Sequence, residues 1–195
     1  MFVSDQVKIA DPGPLGLAGF GITTCILSLI NAGVASADGI GVVLGLAMVY
    51  GGVVQLLAGM WEFRKGNTFG ATAFSSYGAF WIAFYLIVHA APKSGVGLFL
   101  FFFGVLTFYL WIASFYLNKA LFYVFLLLTI TFLLLAFHEF GILGSSALGG
   151  WFGLATGLLA LYTSAAGVIN EVAGHTVLPI GKPMRAKTVT SGVSA

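Results

Sequence analysis

Charged residues divide this chain into six long apolar runs, and these runs constrain its fold more than any other feature. The 8 basic and 6 acidic residues leave no formal charge in residues 12–37, 39–61, 66–92, 94–118, 120–138 and 140–170. A helix needs roughly 20 apolar residues to cross the hydrocarbon core of a bilayer, and each run has about that length or somewhat more. None is long enough for two crossings. The sequence therefore predicts six transmembrane helices.

Composition supports the same fold class. Hydrophobic residues make up 59% of the chain and charged residues 7%, with a mean hydropathy of +1.05, whereas a soluble domain carries about 25% charged residues. Residues 98–117 do not alternate between apolar and polar side chains, which excludes the strands of a membrane barrel. In lipid, only helices satisfy their backbone groups within one segment. We predict an all-α integral membrane protein with helices near residues 14–35, 40–62, 70–91, 95–117, 120–138 and 147–170.

The basic residues fall unequally on the two sides that six crossings create. One side holds only Lys93, and the other holds Lys8, Arg64, Lys65, Lys119, Lys182, Arg185 and Lys187. The positive-inside rule then places both termini in the cytoplasm. We therefore expect a cytoplasmic N-terminal tail (1–12), a six-helix transmembrane domain (13–171) and a basic cytoplasmic C-terminal tail (172–195). From Pro179 onward the tail is expected to be disordered or to lie at the surface.

The predicted helices differ in composition. Helix 4 and much of helix 5 are apolar on almost all sides, which is typical of surfaces that face lipid or another subunit. Helices 1 and 6 instead carry stripes of glycine, a pattern that lets helix backbones approach closely. The stripes are Gly13, Gly16 and Gly19 on helix 1, and Gly150, Gly153 and Gly157 on helix 6.

Polar residues at depth carry no charge. The absence of ionisable residues from the middle of the spans argues against a proton relay. We find no metal-ligand spacing and no nucleophile–base pair, so we predict no enzyme, cofactor or metal site. Single hydroxyls usually bond to their own helix, but six polar groups cluster at the start of helix 3. We predict that this cluster and others line a wet path: Asn67, Thr68, Thr72, Ser75, Ser76 and Tyr77, with Thr23, Thr24, Gln55 and Thr131.

Several motifs along the chain resemble those of one transporter family. Residues 11–17 read DPGPLGL, and residues 65–70, 72–78 and 176–181 read KGNTFG, TAFSSYG and TVLPIG. The first is similar to the N-P-A-P-L-G-L signature of the acetate uptake transporter family, whose best-known bacterial members are succinate–acetate permeases. The other motifs extend the likeness over nearly the whole chain, with a matching length and number of helices.

The resemblance implies uptake of acetate, and in some members succinate, across the cytoplasmic membrane. It also implies a homo-hexamer in the lipid bilayer with one pathway through each protomer, and no nucleic-acid partner. It assigns a constriction to Phe20, Tyr77 and Leu128, and an influence on substrate range to Ala160. The first three lie on helices that run the same way, each about 10–13 Å past its helix start at 1.5 Å per residue. They are therefore expected to form one ring.

The apolar ring bears on mechanism. Removing water from a bare carboxylate is costly unless hydrogen-bond donors replace the water, so we hypothesise that acetate crosses with a proton. The alternatives are an anion channel for acetate, a pore for water, glycerol or ammonia, and a structural protein whose glycines only pack helices. Asp11 replaces the family's first asparagine. If Asp11 is ionised, we expect it to weaken anion entry at the cytoplasmic mouth.

Overall fold

The computed structural model describes residues 9–88 and 90–186, and within them six helices are long and apolar enough to span a membrane. These helices are α1 (Gly13–Asn31), α2 (Ala37–Lys65), α3 (Thr68–Ile87), α4 (Lys93–Ser114), α5 (Lys119–Glu139) and α6 (Ala147–Ala173). The prediction of six transmembrane helices is confirmed. Lys8 and Lys187, which contribute to the predicted orientation, lie outside the described residues, as does most of the predicted N-terminal tail.

Two glycines set helix ends that differ from the predicted ones. The prediction extends α1 to residue 35, but the helix ends at Asn31 because Gly33 adopts a φ of +75°. The amides of Val34 and Ala35 then bond back to the carbonyl of Leu29. Gly66, with a φ of +77°, ends α2 in the same way. Glycine takes this left-handed conformation at no steric cost, and the conformation ends a helix.

A π-helical turn interrupts α2 near its middle. The helix continues as an α-helix over Ile40–Met48, widens into a π-helix over Val49–Val54 and resumes over Gln55–Lys65. The widened turn presses on α1, since a Cβ atom on Gly19 would lie 2.6 Å from the carbonyl oxygen of Tyr50. Turns of this kind occur frequently at functional sites. Gln55 is the first residue after the π-helical turn.

The helices pack as a bundle in which α5 is central and α4 is peripheral. α1 packs closely against α6, α2 against α3, and α5 against both α4 and α6. On α5, the side chains of Val124, Phe125, Leu128 and Phe132 are all buried. The prediction that much of this helix faces lipid or another subunit is therefore wrong for the buried part, which is 50% of its apolar stretch. An apolar helix surrounded by other helices has the same composition as one surrounded by lipid.

The segment after α6 packs on the ends of the helices. The side-chain oxygen of Asn170 accepts hydrogen bonds from the amides of Val177 (2.7 Å) and Leu178 (2.9 Å). Ile180 then accepts a hydrogen bond from the amide of Ala120 at the start of α5. Up to residue 186 the tail therefore lies at the surface, where these hydrogen bonds hold it. Of the two predicted alternatives, a surface position describes this part of the tail and disorder does not.

Contacts between chain segments place the residues before α1 and those after α6 on the same side of the helix bundle. Lys65 at the end of α2 forms an ion pair with Asp11, just before α1. The tail after α6 reaches the start of α5. This agrees with the parity of six crossings. The assignment of that side to the cytoplasm stays a prediction.

Candidate functional site

A cavity of about 360 Å³ lies between five of the six helices. It begins at partly exposed Asp11 and Lys65, on the side where the chain ends meet. α4 contributes none of its lining. Five of the residues predicted from the sequence line this cavity: Phe20, Gln55, Asn67, Tyr77 and Leu128.

Phe20, Tyr77 and Leu128 lie at the closed end of the cavity. All three are at least 95% buried, and the ring centroids of Phe20 and Tyr77 are 5.6 Å apart. The residues one turn further along the same helices, Thr24, Trp81 and Thr131, do not line the cavity. The open space therefore ends at the level of the three residues to which the family resemblance assigns a constriction.

Tyr77 contributes its ring rather than its hydroxyl to this closed end. The hydroxyl lies 2.9 Å from Oγ1 of Thr107 on α4, which is outside the cavity lining. Thr107 already donates its own proton to the carbonyl of Phe103 at 2.7 Å. Tyr77 is therefore the donor in the pair, and its only hydroxyl proton is used within the helix bundle.

Two other predicted hydroxyls are also satisfied within the bundle, whereas those of Thr24 and Ser75 are buried without a hydrogen-bond partner among the described residues. Thr23 donates to the carbonyl of Gly19, and Thr131 donates to that of Leu127, both at 2.8 Å. Such bonds to the residue four positions earlier are usual for hydroxyls in membrane helices. Ser75 packs directly on Gly59 of α2. The following predicted pathway residues lie outside the cavity lining: Thr23, Thr24, Thr68, Thr72, Ser75, Ser76, Thr131 and Ala160.

Gln55 differs from these residues because its unpaired amide group lines the cavity. The side chain is fully buried, and neither Nε2 nor Oε1 has a hydrogen-bond partner among the described residues. It lines the cavity at the level of Gly19, where a Cβ atom would lie 3.7 Å from Cβ of Gln55. Leaving a buried polar group unpaired costs roughly 1–3 kcal/mol. A buried amide that faces a cavity is therefore well placed to bind a polar ligand.

The mouth of the cavity contains an ion pair that the sequence did not predict. Nζ of Lys65 lies 2.8 Å from Oδ1 of Asp11, and the same oxygen accepts a hydrogen bond from the amide of Gly13 at 2.9 Å. The negative charge of Asp11 is therefore opposed by a neighbouring positive charge. This contact offsets the expected effect of Asp11 on anion entry.

Glu62 is the residue of the cavity that sequence reasoning missed. The sequence predicts an interior free of charge, but this side chain is only 1% exposed and lines the cavity. Its spacing was a usable signal, because Gln55 and Glu62 are seven residues apart and seven residues are nearly two helical turns. Residues at this spacing lie on one face of α2. Among the described residues, no three His, Cys, Asp or Glu side chains group as a metal site would require.

Comparisons with known proteins agree with the motifs. A model of the GPR1/FUN34/yaaH family matches residues 2–182. The succinate-acetate/proton symporter SatP of Escherichia coli is 42% identical over 189 residues, covering 91% of this chain and 98% of that protein. Acetate permease A of Emericella nidulans is 58% identical over 81 residues, covering 42% of this chain and 27% of that protein.

One solved structure has the same fold. It is described as the bacterial acetate channel SatP and aligns with a TM-score of 0.85 at 40% sequence identity, covering 89% of this chain and 100% of the other. Together with the family match, this structure confirms the resemblance inferred from the motifs.

Proposed function

Because the chain belongs to the GPR1/FUN34/yaaH family, we propose that it carries acetate across the cell membrane through the cavity between its helices. The observation that supports this use of the cavity is the unpaired amide of Gln55 at its closed end. A small carboxyl group needs at least one donor there to replace water. The cycle moves acetate and breaks none of its covalent bonds, so the protein is a transporter rather than an enzyme.

The amide suits the protonated form of the substrate. A carboxylic acid can accept a hydrogen bond from Nε2 of Gln55 and donate its own proton to Oε1, which satisfies both atoms of the amide at once. A bare carboxylate uses only the donor and places negative charge near Oε1. Among the described residues that line the cavity, Lys65 is the one basic residue, and it is paired with Asp11 at the mouth. We therefore propose that acetate passes the closed end together with a proton.

The remaining parts of the proposed pathway follow the family pattern. Phe20, Tyr77 and Leu128 form the constriction, and the unpaired hydroxyl of Thr24 lies one turn beyond it. Thr131 and Ala160 belong to the stretch beyond the ring, where a small side chain at 160 leaves room for larger acids such as succinate. We also propose a hexamer with both termini in the cytoplasm. The distribution of basic residues supports this orientation.

Uptake into proteoliposomes with independently set pH and voltage tests the coupling to a proton. We expect labelled acetate to accumulate in response to an inwardly directed proton gradient and to respond little to voltage, because acetate and proton together carry no net charge. Competition by other monocarboxylates, but not by glycerol, is expected to accompany it. Uptake that charges the membrane and ignores the pH gradient would instead establish an anion channel, as the description of the solved relative suggests.

Removing the hydroxyl of Tyr77 is expected to leave transport nearly unchanged. In Tyr77→Phe the ring remains at the constriction, while the lost hydroxyl only contacts Thr107 outside the cavity. We expect acetate uptake within about twofold of wild type, with unfolding stability lower by about 1 kcal/mol, the usual size of one hydrogen bond. Thermal unfolding in detergent and initial uptake rates provide the two measurements.

Tyr77→Ala is the contrasting variant, because it removes the ring as well. We expect larger monocarboxylates to compete with acetate in this variant. A severe loss of transport in Tyr77→Phe would contradict the assignment of the ring, rather than the hydroxyl, to the pathway.

A further inference from the structure

Glu62 places a carboxyl group inside the cavity near its mouth. The side chain is almost fully buried and lies about 10 Å along α2 from Gln55, at 1.5 Å per residue. Both side chains are part of the same cavity lining. A substrate bound at Gln55, or on its way there, therefore shares an enclosed space with this carboxyl group.

The carboxyl group is held by the start of α3. Nδ2 of Asn67 donates a hydrogen bond to Oε2 of Glu62 at 2.9 Å, while Oδ1 of Asn67 accepts one from the amide of Gly70. A Cβ atom on Gly70 would lie 2.7 Å from both Cδ of Glu62 and Nδ2 of Asn67, so a side chain at this position would displace the pair. Among the described residues, only Oε2 receives a hydrogen bond, which leaves Oε1 able to interact with a ligand.

Among the described residues that line the cavity, no unpaired positive charge faces Glu62. Lys65 is the basic residue of the lining, and Asp11 pairs with it at 2.8 Å. Of the described lining residues that α1, α3, α5 and α6 contribute, one has a titratable side chain, Tyr77 at the closed end. Arg64 and Glu171 lie on the same side of the bundle but outside this lining. Asp11 and Glu62 are the acidic residues of the described lining, and Glu62 is the one without an ion-pair partner there, so it is the acidic group that a bound carboxylate meets within the cavity.

Two ionised carboxylates in one cavity of about 360 Å³ repel each other, whereas one proton shared between them removes the repulsion and adds a hydrogen bond. We propose that Glu62 is the group that couples acetate to a proton, because it admits a carboxylate to the cavity only when one proton is held between the two carboxyl groups. The proton comes from water at the mouth, and no covalent bond of acetate changes. This inference rests on the proposed function and names the residue that enforces its coupling.

Glu62→Gln tests the proposal, since the amide keeps the size of the side chain and removes its charge. We expect the KM for acetate at about pH 7.5 to fall about tenfold in this variant, because the substitution removes the repulsion between two negative charges. A change of about tenfold is the effect expected for two unit charges that share one cavity at an intermediate dielectric constant. At about pH 5, where free carboxyl groups begin to be protonated, we expect KM within about twofold of wild type. Transport by the variant should also charge the membrane. Glu171→Gln, an exposed carboxyl group on the same side, is the matched control and should behave as wild type.

A second measurement uses the wild-type protein and does not depend on how the variant folds. Adding acetate to the detergent-solubilised protein at about pH 7.5, where acetate itself is ionised, is expected to take up close to one proton per protomer. In Glu62→Gln, acetate is expected to bind without proton uptake. The inference is overturned if binding to wild type takes up no proton, or if Glu62→Gln keeps the wild-type KM at both pH values. A wild-type protein that transports no acetate would overturn the proposed function itself, which distinguishes the two failures.

Discussion

Replacing Gln55 with methionine is expected to lower the rate of acetate uptake about a hundredfold, the usual effect of removing one buried donor from a site that stabilises a polar group. Methionine has nearly the same length and fills the same space, so the cavity keeps its shape. What is lost is the amide, whose two polar atoms have no partner among the described residues and face the cavity. Initial rates of labelled acetate uptake into proteoliposomes measure the effect.

The expected loss is large because the structure offers acetate little else at that depth. The hydroxyl protons of Tyr77 and Thr163, both in the cavity lining, are donated to Thr107 and to the carbonyl of Leu159. Asn67 already donates to Glu62. An apolar side chain at position 55 would therefore leave the substrate carboxyl group without a free donor at the constriction.

Thr156→Val is the matched control for Gln55→Met. Thr156 is equally buried and polar, but it lies outside the cavity lining and donates to the carbonyl of Phe152. This variant should transport acetate at a rate close to that of wild type. Comparable uptake by Gln55→Met and wild type, with both proteins folded, would show that acetate does not depend on the amide.

The fold was largely predictable because it depends on composition over long segments. Six charge-free runs are enough to locate six spans. The family resemblance singles out Phe20, Tyr77 and Leu128, and all three line one cavity in the structure. The sequence did not predict which apolar helix is central. α5 and α4 have similar compositions, and only the packing of the whole bundle separates them.

The polar residues of the site were harder to predict for a different reason. The sequence identifies a hydroxyl but not the direction of its proton, and in Thr23, Thr131 and Tyr77 that proton is used within the bundle. Gln55 and Glu62 matter because both side chains are buried and line the cavity, which the sequence alone does not reveal. The direction in which their shared face points depends in part on the π-helical turn that precedes Gln55, and the local sequence gives no reliable signal for such a turn.

Replacing Gly150 with alanine is expected to destabilise the protein by about 3 kcal/mol, the upper part of the usual range for overpacking. Gly150 lies where α6 crosses the end of α1, and an added Cβ atom would contact the amide nitrogen of Ala32 and lie 2.7 Å from the carbonyl carbon of Asn31. These are backbone atoms, which cannot rotate away as a side chain can. The helices would have to separate, although alanine favours an isolated helix over glycine by about 1 kcal/mol.

Gly104→Ala provides the matched control, because Gly104 is also a buried glycine within a membrane-spanning helix. A Cβ atom there would lie 3.4 Å from Cβ of Phe132, which is ordinary packing distance. We therefore expect the same substitution to have opposite signs at the two sites, with a gain of up to about 1 kcal/mol at position 104 from helix propensity. Thermal unfolding of both variants in detergent measures the difference. Equal unfolding temperatures would mean that α1 and α6 can separate at little cost, and that the glycine stripe on α6 does not hold the bundle together.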